Sequence, residues 1–143
     1  MSALRISTDP GELDVGVIHR FLSTESYWAA GMSRAILERA LKHSLCFGGY
    51  LDHAQVAFAR IVTDRATFAH LKDVFVLPAF RGRGFGTTLM QAVMMHPDLL
   101  AVSFTLVTDD AHTLYEKFGF LRYPQPARLM IRHGSFLDAV ERG

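Results

Sequence analysis

Arg81-Gly82-Arg83-Gly84-Phe85-Gly86-Thr87 places three glycines alternately with an arginine and a phenylalanine, directly behind a second arginine. Glycines let a backbone come close to a ligand and present its N–H groups with no side chain in the way. Phe85, Leu89 and Val93 follow at i, i+4 and i+8, the apolar stripe of a helix that begins near Gly84. Unpaired N–H groups at a helix start, reinforced by the helix dipole, make an anion site. Arg81 and Arg83 add fixed charge and forked donors suited to phosphate. Ahead of the turn, Val74–Leu77 is an unbroken apolar run, as expected of a strand buried on both faces, and Pro78 ends its regular pairing. The chemistry is that of a strand, a glycine turn and a helix arranged to hold a phosphate-bearing ligand. Two common phosphate motifs fail on spacing. A P-loop needs lysine and then serine or threonine after its last glycine, where Thr87-Thr88 stand. A dinucleotide fingerprint runs G-x-G-x-x-G, whereas these glycines run G-x-G-x-G. A loose surface turn would not need two arginines and an amphipathic helix, although either arginine taken singly could be a solvated charge.

Arg81, Gly84 and Gly86, in the pattern Arg-x-x-Gly-x-Gly behind a strand ending Val76-Leu77-Pro78, resemble the acyl-CoA signature of the GCN5-related N-acetyltransferases (GNAT). Leu114-Tyr115-Glu116-Lys117-Phe118-Gly119-Phe120 resembles the C-terminal Leu-Tyr-x-x-x-Gly-Phe motif of the same family. The two segments come in the family's order with one strand between them, and the resemblance spans roughly residues 45 to 133. It implies an acetyl-CoA-dependent N-acetyltransferase of the α/β class in a single domain over 1–143. The sheet would be mixed and mostly antiparallel, with a splayed parallel strand pair.

The resemblance also implies site roles. Acetyl-CoA would be the cofactor. Its phosphates would rest on Arg81 and on the backbone of Gly82, Arg83, Gly84, Phe85, Gly86 and Thr87. The main chain of Val74, Phe75 and Val76 would pair with the pantetheine arm like an added strand. The N–H of Val76 would polarise the thioester carbonyl. Thr108 stands where many members carry a cofactor-touching asparagine, and it can bond only through a hydroxyl. Tyr115 would be the acid for the departing thiolate. A tyrosine pKa near 10 against a thiol near 8.5 makes that transfer uphill by only ~2 kcal/mol. The plainer role for Tyr115 is a helix residue packed on the core. No single base emerges from Asp73, Asp64, Glu25 and His70. The polar, aromatic loop Ser23–Met32 joins the first two helices, which in the family borders the acceptor site, so Glu25, Tyr27 and Trp28 are candidate acceptor contacts. Trp28 could equally anchor the loop on the core. The acceptor would be a primary amine of a small molecule or a protein. A non-catalytic acyl-CoA-binding sensor is the alternative, and a phosphate-binding interaction domain unrelated to CoA is weaker still.

The whole chain is consistent with these assignments. Its 143 residues suffice for one domain with a sizeable core, and half are hydrophobic. A net charge of +1 offers no basic field for nucleic acid or an acidic membrane. Cys46 is a lone cysteine in an apolar run, so no intrachain disulfide forms and a buried, inert thiol is expected. Seven dispersed histidines suggest no metal site. No leader pattern or run of membrane-spanning length is read, so a cytoplasmic monomer or homodimer is expected.

The elements that must position these residues follow from local pattern. Leu4–Ser7 reads as a strand, and Asp9-Pro10 starts a helix expected to end near Ser23. Ser33 caps a second helix, with Ile36, Leu37, Ala40, Leu41 and Leu45 supplying its buried face. Leu45–Leu51, with a bulge at Gly48-Gly49, and Ala54–Thr63 form a hairpin. The central strand runs from Thr67 to Leu77 and the helix behind the glycines ends near His96. The strand Leu99–Val107 would pair with 67–77 in parallel by a right-handed crossover. Asp110 would cap a short helix from Ala111 to Phe118, ended by Gly119. Phe120–Tyr123 and Ala127–Arg132 would be two last strands before a tail over 133–143.

Overall fold

The computed structural model describes residues 3–134. Among them, five strands lie in sequence order across one sheet: β1 (Arg5–Ser7), β2 (Leu45–Leu51), β3 (Ala54–Thr63), β4 (Phe68–Val76) and β5 (Ser103–Leu106). β1 to β4 pair antiparallel, while β4 and β5 pair in parallel. The alpha/beta, mixed-sheet expectation is therefore met, as is the β2–β3 hairpin with a register shift between Gly49 and Tyr50.

The sheet is covered on both faces. On one, α3 (Phe85–Met95) buries Leu89, Met90 and Val93 against Phe47, Val56, Ala59, Ile61 and Leu71. On the other, α1 (Val15–Arg20) and α2 (Arg34–Lys42) close over Cys46, Phe58 and Phe75 with Ile18 and Leu37. Ser33 caps α2 as expected, its hydroxyl accepting from the Ile36 N–H at 3.2 Å.

β4 carries the feature on which the site depends. Along β3–β4 the register runs from Phe58↔Phe75 to Arg60↔Lys72, so β4 has one residue more than β3 over this step. Asp73 is the residue in the left-handed region, with φ 56. This bulge bends the strand. The parallel ladder begins at Phe68↔Ser103 and stops at Leu71↔Leu106, while β4 continues to Val76. The two strands separate where β4 goes on alone.

Three expectations are corrected. The first helix is divided: Asp9 caps only a 3-10 turn over Pro10–Glu12, Leu13 is extended, and Asp14 caps α1 by accepting from the Val17 N–H at 3.1 Å. α1 then widens into a π turn over Phe21–Glu25, because the hydroxyls of Ser23, Thr24 and Ser26 each bond a carbonyl four residues back. Secondly, Asp110 does not cap the helix α4 (His112–Glu116). Thr108 stands under it instead, its Oγ1 accepting from the Ala111 N–H at 3.0 Å. Thirdly, Phe120–Tyr123 and Ala127–Arg132 form no ladder. Pro124 and Pro126 lack N–H donors, and Pro126–Arg128 makes a 3-10 turn. Of the expected tail, residues 135–143 lie outside those described.

Candidate active site

The opening between β4 and β5 is lined by backbone. The Leu77 N–H donates to the Val56 carbonyl at 2.8 Å, so Leu77 and, by antiparallel alternation, Phe75 direct their main-chain groups at β3. Val76 and Val74 then direct theirs the other way, into the opening. The Val76 carbonyl meets Arg81 Nε at 3.0 Å, consistent with that orientation. The Phe75 main chain is committed to β3, and its ring stacks on Phe21 at 4.1 Å, so Phe75 supports the opening from behind rather than lining it.

At the far end of β4 the glycine turn shapes an N–H cradle. Gly82 and Gly84 have φ 77 and 80, conformations that cost a side-chain-bearing residue energy, and Gly84 is the left-handed residue ahead of α3. The Thr88 N–H makes the first helical bond, to the Gly84 carbonyl at 3.1 Å. The N–H groups of Phe85, Gly86 and Thr87 therefore have no intrahelical acceptor, and they share the positive end of the helix dipole. A Cβ built on Gly86 would meet only Leu114, at 4.0 Å, so the space in front of this turn is open. Arg81 ties the turn back to Val76, while the Arg83 guanidinium lies 5.4 Å from the centre of the Phe80 ring. Open N–H donors, a positive dipole and a free strand edge fit a long ligand with phosphate at one end and amide groups along its arm.

Tyr115 approaches the same region from α4. Leu114, its neighbour, would come within 4.0 Å of a Cβ at Gly86, so the two motifs singled out in the sequence face each other. Tyr115 is 8% exposed and packs against Phe120 at 5.9 Å. Burial pushes its pKa up to about 12, and the charges of Asp110 and of an ionised Tyr27 act in the same direction. An open cleft of about 850 Å³ runs along the outer side of β5 to Pro126 and includes Thr108 and Tyr115, but no residue of the glycine turn. Because the Thr108 hydroxyl oxygen accepts from both the Ala111 and the Asp110 N–H groups, at 3.0 and 3.4 Å, only its O–H remains to reach a ligand.

The loop ahead of α2 reaches β4 from the side of α1 and α2. Trp28 Nε1 donates to Asp73 Oδ1 at 2.9 Å, and Arg60 Nε donates to Asp73 Oδ2 at 2.7 Å. Arg60 also reaches the Ser44 hydroxyl at 3.2 Å. Sequence reasoning missed this Trp28–Asp73–Arg60 connection. Its signal was available in two opposite charges, each within an apolar strand, on neighbouring antiparallel strands. Tyr27 lies edge-on to Trp28, and Glu25 is exposed at the end of the π turn.

Three of the four candidate bases are employed elsewhere, exposed Glu25 being the exception. Asp64 accepts from the N–H groups of Ala66, Thr67 and Phe68 and from the Thr67 hydroxyl. These bonds, the hydroxyl's first, hold its carboxyl far below the usual range. Asp73 is bound on both oxygens. His70 meets the Thr105 hydroxyl at 2.7 Å, and burial lowers its pKa, helped by the charges of Lys72 and Arg60.

Residues 42–122 match the family model described as the Acetyltransferase (GNAT) domain. A curated relative from Gibberella zeae named as an acetyltransferase is 33% identical over 141 residues, covering 82% of this chain and 79% of the relative. A Xanthomonas campestris crystal structure described as an acetyltransferase of the GNAT family is 51% identical, with a TM-score of 0.91 over 96% of this chain and 97% of that one. A Clostridium acetobutylicum acetyltransferase solved with acetyl-CoA shares the fold at 15% identity, with a TM-score of 0.61 over 96% of this chain and 98% of that one.

Proposed function

The chain belongs to the GNAT family of acetyltransferases, and on that premise we propose that it transfers the acetyl group of acetyl-CoA to a primary amine by direct attack in a ternary complex. What supports this reading is the opening beside Val76, with the N–H cradle of α3 beyond the end of β4 and Tyr115 in the core cluster against which Val76 packs. The acetyl-CoA bound in the Clostridium acetobutylicum neighbour supports the choice of ligand. Acetyl-CoA supplies an activated thioester carbonyl. In the reaction one N–C bond forms and one C–S bond breaks, the amine gives up a proton and the sulfur gains one.

The residues divide this work. Phe85, Gly86 and Thr87 offer N–H donors to phosphate, with the charge of Arg83 and the remaining donors of Arg81 beside them. Gly82 and Gly84 keep the turn open. Val74 and Val76 provide the strand edge for the arm, and the Val76 N–H is placed to receive negative charge growing on the carbonyl oxygen. Tyr115 donates a hydrogen bond to the departing sulfur, and Thr108 lies beside it. Tyr27, Trp28 and Glu25 face the acceptor, which is a small-molecule or protein amine. The protein acts as a monomer or homodimer.

Incubating the protein with acetyl-CoA and a panel of primary amines, with release of free thiol as the readout, tests the proposal. Amine-dependent release is expected. Binding of CoA with no release for any acceptor would favour the alternative, a non-catalytic acyl-CoA sensor. The high pKa of Tyr115 is the observation on its side, because it makes this tyrosine a weak proton source.

A further inference from the structure

Tyr27 and Trp28 are 59% and 40% exposed. Their ring centroids lie 5.0 Å apart with planes at 85°, so together they make two walls of a right-angled corner. The corner is rigidly backed. Trp28 is pinned through its indole N–H to Asp73 and leans on Phe21 at 6.3 Å, and Phe21 stacks on Phe75 at 4.1 Å. Phe75 stands between Val74 and Val76, so a continuous aromatic row joins the corner to the strand edge where transfer would occur. With its N–H engaged, Trp28 has only apolar surface to offer a ligand. The carboxylate behind it is no anchor for an ammonium group either, because Arg60 matches its charge at 2.7 Å.

We propose that the Tyr27–Trp28 corner recognises the acceptor and selects a primary amine carried on a flat apolar ring, with the ring seated in the corner and the amine directed at the opening beside Val76. The proposal rests on the acetyltransferase reading and names its substrate class. An aromatic ring can stack offset on the indole and meet Tyr27 edge-on, both favoured arrangements. A polyamine gains less there, because the buried Asp73 carboxylate is already paired and only the exposed Glu25 is left to meet its ammonium groups. An amine on such a body also enters an apolar corner more readily as the free base, the form that attacks.

Trp28 is the single tryptophan of the chain, so its emission reports on the corner directly. The test titrates 2-phenylethylamine, n-butylamine and spermidine into the full chain saturated with CoA, and follows thiol release from acetyl-CoA with the same amines. Saturable change in Trp28 emission is expected, with phenylethylamine binding about tenfold or more tightly than the other two, and KM values in the same order. Tyr27→Ala is expected to weaken phenylethylamine about tenfold while CoA affinity stays as it was. Equal or tighter binding of spermidine or butylamine, an emission that no amine changes, or phenylethylamine binding that ignores Tyr27→Ala would each overturn the proposal. Thiol release with butylamine or spermidine but no response to phenylethylamine would remove the corner and leave the acetyltransferase reading intact. Tyr27-dependent binding of phenylethylamine without thiol release from any amine would do the reverse.

Discussion

Tyr115 and Asp73 show how burial redirects a residue's chemistry. With a pKa of about 12, Tyr115 is a poorer acid than its residue type suggests. Against a thiol near 8.5, full proton transfer is uphill by about 5 kcal/mol, not ~2. A protonated phenol can still donate a hydrogen bond to a developing thiolate, an interaction with a charged group worth roughly 1.5–3 kcal/mol. Tyr115→Phe is therefore expected to lower kcat by about 10- to 150-fold, with CoA affinity retained because the phosphates rest on α3. A thioester with a more acidic thiol should recover part of the rate. Full activity with a good acceptor would reduce Tyr115 to a packing residue. Asp73 is the reverse case, a buried carboxylate whose two oxygens bind Arg60 and Trp28. Asp73→Ala leaves Arg60 buried without its partner and should cost about 3–5 kcal/mol in urea unfolding. Asp73→Asn keeps an acceptor for Trp28 and tolerates the left-handed backbone, so its loss should be smaller. Equal losses for the two would mean that the charge alone matters.

At the scale of elements, what was legible followed from local signals. The hairpin around Asp52-His53, the Ser33 cap, the glycine turn with α3, and the left-handed Gly119 at φ 88 in the turn that follows α4 each depend on residues close in sequence. The β4 bulge was not legible, because Asp73 is stabilised there by Arg60 from β3 and Trp28 from a distant loop. The break in the first helix escaped because Asp9 and Asp14 both satisfy the rules for a cap. The glycine turn was legible as a motif, but the division of work among its glycines was not. Gly84 at φ 80 would strain any replacement by ~1–2 kcal/mol, so Gly84→Val confounds stability with binding. Gly86 has ordinary helical geometry and open space in front, which makes it the cleaner probe. Gly86→Val should lower CoA affinity more than about tenfold, or ~1.4 kcal/mol, in calorimetry, with little change in melting temperature. Unchanged affinity in the folded variant would place the phosphates elsewhere. Arg81→Ala removes the bond to the Val76 carbonyl as well as a charge, so part of its loss should persist at high salt.

The whole molecule buries weakly acidic groups on both faces of its sheet, and this sets its response to alkali. Desolvation raises Cys46 to about 11 in the layer beneath α1 and α2, and Tyr115, on α4, to about 12. Tyr50, in β2, is also raised by desolvation to about 12, and its hydroxyl is buried with no hydrogen-bond partner among the described residues. In the unfolded chain these groups lose their protons near their ordinary values, about 8.5 for the thiol and 10 for the phenols. Between those values and the folded ones, the unfolded state binds fewer protons than the folded state, so stability falls as pH rises. The contribution is fully present below about pH 8.5 and is lost progressively as pH approaches the folded pKa values. The urea midpoint should therefore be level in this respect near neutrality and decline above about pH 9. Tyr50→Phe separates this cause from general repulsion at high pH. Removing an unpaired buried hydroxyl while keeping the ring should raise stability at pH 7 by about 1 kcal/mol and flatten the alkaline decline. A variant that is less stable at pH 7 would show that the hydroxyl has a partner in solution. An unchanged alkaline slope would assign the decline to Cys46 and Tyr115, a division that Tyr115→Phe can then test in the same assay.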